Sequence, residues 1–333
     1  MTSFPFYLDC DTGIDDALAL AYLLASPQAD VRGIGAVSGN VSAAVGARNT
    51  LDLLELAGHA HIPVALGAHD PLAGSFGGGA PWVHGANGIG EVELSTADAE
   101  LAPETAAEML VRLAHEHPGT LRVLAIGPLT NIAEALRLEP SLPSLVAEIT
   151  IMGGAALAPG NLTPVAEANI ANDPEAAALV LAADWNVTLV PLDVTMTNVL
   201  EENHRQELLA SSGAVPRALG EMLGYYFRFY EGLFGRACSA MHDPLAEALA
   251  VGAVKPALAP VVHVDVDTTS GPGRGQTVCD MRGLYMDYPE QPGARCRVVL
   301  SLEDDFAPHL VETLLGHFEI PVAEPVETAL VVG

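Results

Sequence analysis

The sequence predicts an α/β protein: an open, mainly parallel central sheet with helices on both faces, and extra helices and short strands in its C-terminal part. Two observations carry this. Apolar runs of strand length recur between amphipathic stretches of helix length, the pattern of strands joined by crossover helices. Several of these strands also end in glycine, proline or acidic residues, which mark loops at the sheet edge where such folds place ligands. Half of the 333 residues are hydrophobic, enough for a sizeable core. No linker-like polar tract and no internal repeat divides the chain, so one domain over 1–333 is expected.

In chain order, residues 4–8 read as a short buried strand and 17–25 as a helix, with Gly13 at the turn between them. Residues 31–37 form the next strand, 43–56 a helix and 63–66 a short strand. Helix 104–117 precedes strand 121–126, which runs into Gly127-Pro128. Helix 131–138 leads to strand 148–152, followed by Gly153-Gly154. Helix 174–183 leads to strand 187–192, which ends at Asp193. From 201 to 249 the pattern is all-helical, and after Pro256 β-like runs appear at 263–267, 276–280 and 295–300. Loops 74–90 and 271–275 are glycine-rich. The second lacks the Gly-Lys-Ser/Thr of a phosphate loop, since it reads Gly273-Arg274-Gly275-Gln276-Thr277.

The densest chemistry lies at Asp9-Cys10-Asp11-Thr12-Gly13-Ile14-Asp15-Asp16, four carboxylates in one strand-to-helix loop. One or two could be helix caps. The full set is unfavourable without a cation, because a helix N-terminus supplies only about half a charge. Oxygen donors alone suit a hard divalent ion, Ca²⁺ or Mg²⁺.

Composition narrows the partners. With 14 basic and 42 acidic residues the net charge is −28, and the only lysine is Lys255. Such a surface repels phosphate backbones and anionic lipids, so neither nucleic acid nor membrane is an expected partner, and a neutral small substrate fits better. No apolar run is long enough to span a bilayer, and the first residues lack the pattern of a signal peptide. Cys10, Cys238, Cys279 and Cys296 have no metal-type spacing, and a reduced, cytoplasmic protein is the expectation.

Further polar residues follow the strands: Asn40, the carbonyl at Ile126, Met152, the loop with Asn161, Glu167 and Asn169, and His242-Asp243-Pro244. Gathered above one sheet, they would offer carboxylates, amides and an imidazole to a many-hydroxyl ligand such as a sugar. The acid loop, Gly127-Pro128-Leu129-Thr130-Asn131, Met152-Gly153-Gly154, Ala166-Glu167-Ala168-Asn169-Ile170 with Asp173-Pro174-Glu175-Ala176, and His242-Asp243-Pro244 together resemble the motifs of the nucleoside hydrolases, of the inosine–uridine-preferring type. The likeness runs in order over essentially the whole chain, and residues 269–283 are similar to the family's C-terminal portion.

That resemblance implies a Rossmann-related sheet and hydrolysis of a ribonucleoside's N-glycosidic bond to free base and ribose. It implies Ca²⁺ held by Asp11, Asp16, Asp243 and the Ile126 carbonyl, with Asp11 as general base toward a water on the ion. Asp15, Asn40 and Asn169 would hold the 2′- and 3′-hydroxyls, Asn161 and Glu167 the 5′-hydroxyl, and Met152 would line the ribose pocket. His242 would assist departure of the base. His84 lies in a loop similar to the family's mobile flap, and is otherwise an ordinary solvent-exposed loop histidine. Tyr226 and Tyr230, from an aromatic cluster over 225–234, could face the base or simply fill the core. A homodimer or homotetramer is the expected assembly. Two other readings stand beside this one: a haloacid dehalogenase-type phosphatase, which also opens Asp-x-Asp but needs a lysine, and a Ca²⁺-dependent nucleoside sensor without catalysis.

Overall fold

Six parallel strands form the centre of the computed structural model, which describes residues 3–319. They are β1 (Phe4–Cys10), β2 (Ala29–Ala36), β3 (Val64–Leu66), β4 (Leu121–Ala125), β5 (Val146–Met152) and β6 (Val187–Val190). The sheet order is β3-β2-β1-β4-β5-β6, extended by Cys296–Val298, parallel to β6, and then antiparallel Val261–Val262. The strand order therefore reverses between β1 and β4. In an open α/β sheet this divergence opens a crevice at the carboxyl ends of the strands.

The expected alternation is present, with ends shifted by a few residues. Strand β1 continues to Cys10 because Asp9 and Cys10 pair with Gly35 and Ala36 of β2, and Asp9 also with Ala125 of β4. The first helix begins at Ile14 rather than 17, since Asp16 reaches back to the Gly13 amide at 2.8 Å and completes the first turn. Helix 43–56 stands where its pattern put it, with the Ser42 hydroxyl as N-cap.

Two expectations are corrected. The stretch 201–249 is not all-helical: helices Glu202–Ala210 and Ala214–Phe234 are followed by strand Cys238–Ala240, antiparallel to Val199–Glu201. Three residues are too few for a period to show. The next helix starts at Asp243, because Pro244 fits the first turn, where its missing amide hydrogen is not needed. Loop 74–90 contains the short helix Pro81–His84.

Alternation along the strands divides the core into two faces. Phe6, Leu8 and Cys10 pack on one side, with the helices Ile14–Ala25, Ala43–Leu56, Ala214–Phe234, Asp243–Ala250 and Ala307–Phe318. Tyr7 points to the other, against Ala106–Glu116, Thr130–Leu138 and Pro174–Ala182. Each large aliphatic side chain buried this way contributes about 1.5–3 kcal/mol. The acid loop of the site begins at the end of β1 and runs directly into the helix Ile14–Ala25, so it is held by this packing.

Candidate active site

The acid loop is pinned before any ligand arrives. The Asn49 amide donates to the Thr12 carbonyl at 3.2 Å, and the Thr12 and Thr50 hydroxyls lie 2.7 Å apart. Asp16 accepts from the Asp11 amide at 3.2 Å, the Gly13 amide at 2.8 Å and the Asn40 side-chain amide at 3.1 Å. It is a helix-cap residue that also faces the crevice. The Asn40 backbone N–H donates to Asp11 Oδ2 at 2.5 Å, whereas Asp11 Oδ1 is buried without a partner. Asp11 is wedged between two glycines. A Cβ at Gly39 would meet Asp11 Oδ2 at 2.0 Å, and one at Gly127 would meet Oδ1 at 2.9 Å.

Donor oxygens of Asp15, Asp16 and Asp243 lie within 4.8 Å of one another, and all three side chains are buried. Asp11 stands beside this group, against Asp16, and not within it. Asp243 arrives from the opposite half of the chain, at the first position of its helix. Asp15 accepts from the Tyr226 hydroxyl at 2.9 Å through Oδ2, and its Oδ1 has no hydrogen-bond partner.

Burial and mutual repulsion act together on these acids. Burial, then Asp16, pushes the Asp11 carboxyl well up. Burial, then Asp15, raises Asp16 to about 7. Asp243 is raised by burial and then by Asp15, Asp16 and Asp11. Among the described residues the arginine ion pairs join other acids, and none reaches this cluster. Such a buried anionic set is complete only with a bound cation.

The strand ends supply the rest of the wall. The Asn169 amide donates to the Ile126 carbonyl at 2.8 Å and the Met152 carbonyl at 3.2 Å. The Ile126 oxygen keeps a second lone pair beyond the one that accepts from Asn169. Glu167 caps helix Ala168–Asn172, accepting from the amides of Asn169 at 2.8 Å, Gly154 at 3.0 Å and Ile170 at 3.1 Å. Burial nevertheless raises its carboxyl, with those amides pulling the other way. Asn161 is exposed, and its side-chain oxygen accepts from the Ala168 amide at 2.9 Å.

The histidines are both buried. His84 is not a solvent-exposed loop residue: its Nδ1 accepts from the Ile14 amide at 3.1 Å and lies 3.8 Å from Asp15. That bond puts its hydrogen on Nε2, and burial holds the imidazole below its ordinary range. His242 has Tyr230 Oη at 2.6 Å from Nε2 and Thr195 Oγ1 at 2.8 Å from Nδ1. Burial lowers it too, with Asp15 opposing. The rings of Tyr226 and Tyr230 are buried in the core, and their hydroxyls contact Asp15 and His242.

Three residues without an assigned role prove structural to the site. Asn131 donates to Asp9 at 3.0 Å and accepts from the Ala68 amide at 2.8 Å, tying β1 to the loop after β3. Asp193 receives the amides of Ala156, Leu157 and Ala158, which fixes the loop after β5. Thr195 contacts His242. Asn131 lay inside a motif, but the other two carried no spacing that sequence reasoning could use.

Fold and site together define an α/β protein with a buried carboxylate cluster at the carboxyl ends of its parallel strands. The sequence profile of the family described as inosine-uridine preferring nucleoside hydrolase matches residues 6–307, and the chain belongs to that family. It is 37% identical over 242 residues to uridine nucleosidase 1 of Arabidopsis thaliana, covering 72% of this chain and 71% of that one. It is 34% identical over 309 residues to the inosine-uridine preferring nucleoside hydrolase of Leishmania major, covering 90% and 93%. The solved purine-preferring ribonucleoside hydrolase from Gardnerella vaginalis superposes with a TM-score of 0.85 at 30% identity, covering 94% of this chain and 98% of that one. The protein is therefore a ribonucleoside N-glycosidase of the nucleoside hydrolase class, which sets the phosphatase reading aside. No helix among the described residues is long and apolar enough to cross a membrane.

Proposed function

We propose that this enzyme hydrolyses inosine- and uridine-like ribonucleosides in a Ca²⁺-dependent reaction, as one domain over 1–333, with recognition centred on the ribose. The observation that carries the reading is the buried, all-oxygen cluster of Asp15, Asp16 and Asp243 beside Asp11, with unpartnered carboxylate oxygens on Asp11 and Asp15. Those donors fit a hard cation that accepts irregular oxygen coordination, which favours Ca²⁺. Asp11, Asp16, Asp243 and the Ile126 carbonyl would hold it. When bound, the ion offsets the carboxylate charge and makes water beside Asp11 easier to deprotonate.

The chain's own groups then divide the work. Asp11 has one oxygen fixed by the Asn40 amide and the other free, so Oδ1 is the atom that takes the proton of the attacking water. Asp15, Asn40 and Asn169 bind the 2′- and 3′-hydroxyls, and Glu167 and Asn161 the 5′-hydroxyl. Met152 forms the floor. The carboxylates stabilise the positive charge that develops on the sugar as the glycosidic bond lengthens. His242, through the Tyr230 hydroxyl on its Nε2, provides the proton that a departing purine needs. His84, Tyr226 and Tyr230 close the side on which the base leaves.

Four free cysteines, three of them buried, support a reducing compartment such as the cytoplasm. A homodimer or homotetramer is proposed on family resemblance alone. The test is incubation of calcium-replete protein with inosine and with uridine, followed by a reducing-sugar assay. Release of ribose that disappears on chelation and returns with Ca²⁺ is expected. Binding without ribose release would favour the sensor, and full activity without metal would refute the calcium dependence.

A further inference from the structure

We infer that Asn49 is a positioning residue that couples the loop 84–92 to the acid loop, so that seating of that loop and filling of the cation site favour one another; the inference rests on Asp16 as a ligand of the cation, as proposed above. Asn49 lies on the helix Ala43–Leu56 and is buried. Its side-chain amide donates to the Thr12 carbonyl at 3.2 Å and to the Asn87 carbonyl at 2.9 Å. Both partners are acceptors only, so the side-chain nitrogen must face them, and its two hydrogens serve two carbonyls.

The Thr12 carbonyl belongs to the same planar peptide unit as the Gly13 amide, which donates to Asp16 at 2.8 Å. Asn49 therefore holds one edge of a rigid plane whose opposite edge aims an acid of the cluster. On the other side, Asn87 is the centre of a tight turn. Its side-chain oxygen accepts from the Ile89 and Glu91 amides, both at 3.0 Å, and its side-chain nitrogen donates to the Val92 carbonyl at 3.0 Å. The Gly90 amide closes back on the His84 carbonyl at 2.7 Å, and His84 Nδ1 accepts from the Ile14 amide. The span from His84 to Asn87 is thus clamped to residues 12–14 at both ends. Gly88 permits the approach: its φ is +84°, and a Cβ there would meet Val41 at 2.7 Å, Asn49 at 3.1 Å and Thr12 at 3.3 Å. A cation that fixes Asp16 fixes the Thr12–Gly13 peptide and, through Asn49, the loop. By reciprocity, a seated loop tightens cation binding.

The test follows amide hydrogen exchange and Ca²⁺ calorimetry on the full chain, first chelated and then reloaded with Ca²⁺. Asn49→Leu keeps the approximate volume and removes both donors. Thr50→Val removes the other pin on Thr12, a hydroxyl 2.7 Å from its own, yet Thr50 has no hydrogen bond to the loop 84–92 among the described residues. In wild type, Ca²⁺ should slow exchange across residues 85–92 by at least about tenfold. In Asn49→Leu the slowing should be less than about threefold and the Ca²⁺ Kd about 10- to 100-fold higher, while Thr50→Val keeps the slowing. A wild-type loop that ignores bound Ca²⁺, a full loop response or an unchanged Kd in Asn49→Leu, or the same loss of response in Thr50→Val would each overturn the inference. If wild type binds no Ca²⁺, the calcium dependence proposed above falls, and the link between the loops is decided in chelated protein. There Asn49→Leu should speed exchange across 85–92 at least about tenfold over wild type and Thr50→Val less than about threefold; equal rates would overturn it. If the leucine variant fails to fold, Gly88→Ala breaks the same approach from the loop side and should lose the Ca²⁺ response; a full response would overturn the inference.

Discussion

Replacing Asp11 by asparagine separates chemistry from architecture at the most crowded point of the site. Asparagine has nearly the same volume, and its oxygen can still accept the Asn40 amide that now binds Asp11 Oδ2 at 2.5 Å. The wedge between Gly39 and Gly127 therefore stays filled. What is lost is the unpartnered Oδ1 as a base, together with one negative charge. General-base catalysis is worth about 10²–10⁴-fold. Because the same carboxylate is proposed to hold the ion, the upper end applies, a barrier increase of about 5 kcal/mol. Ribose release from inosine and uridine should fall accordingly, while nucleoside binding remains measurable by calorimetry. Stability should move the other way. Burial and Asp16 raise the Asp11 carboxyl, so above the ordinary carboxyl range ionisation favours the unfolded chain. Asparagine removes that bias, and the chelated variant should melt above chelated wild type at pH 8. Turnover within tenfold of wild type, or a lower melting temperature, would refute the reasoning.

Other outcomes follow from the same geometry. Asp16 and Asp9 are both raised from 3.8 to about 7, so the native state holds more protons than the unfolded one across that window. The contribution is full below about pH 4 and is lost as pH rises toward 7; melting of chelated protein should fall over this range and Ca²⁺ should restore it, whereas a rise would contradict the assignment. Glu247 is fully buried with neither carboxylate oxygen bonded, and burial raises it well above 4.5. Glu247→Met should stabilise the calcium-loaded protein at pH 8 by about 1–3 kcal/mol in denaturant titrations, and by less near pH 4; destabilisation at pH 8 would mean an unseen partner. Finally, 2′-deoxyinosine should show kcat/KM at least about 100-fold below inosine, roughly 3 kcal/mol, because Asp15 and the cation lose a buried partner. Equal turnover would end the ribose-centred reading.

Much of the fold was legible because its signals are long or repeated. The long strands and helices through Ala182 follow from periodicity, though the short helices Pro81–His84, Leu142–Leu145 and Ala168–Asn172 do not. The acid loop could be placed at a strand end from the apolar run before it, the helix after it and Gly13 between them. Legibility fails where an element is short or a contact is distant. The strand Cys238–Ala240 exists through its pairing with Val199–Glu201, which no local pattern encodes. His84 lies in a glycine-rich loop that reads as exposed, yet it supplies the acceptor for the Ile14 amide across 70 residues. Thr195 is one threonine after an apolar run until the fold sets it beside a histidine 47 residues later. Even within the acid loop, residue types predict a cation site, but not which oxygens come together: those of Asp15, Asp16 and Asp243 lie within 4.8 Å of one another, with Asp11 against Asp16.

The glycines at 39 and 127 bear on how such a site could be copied. Neither has a positive φ, so neither is required by a turn; each is defined by the volume it leaves out beside Asp11. With both walls closed on the carboxylate, the entropy of aiming it is lost once, during folding, and not again in each catalytic cycle. Grafting the acids alone onto another parallel sheet would transfer their charge without their aim. The transferable unit is six acids and glycines from three strand ends: Asp11, Asp15 and Asp16 with Gly13, closed in by Gly39 and Gly127.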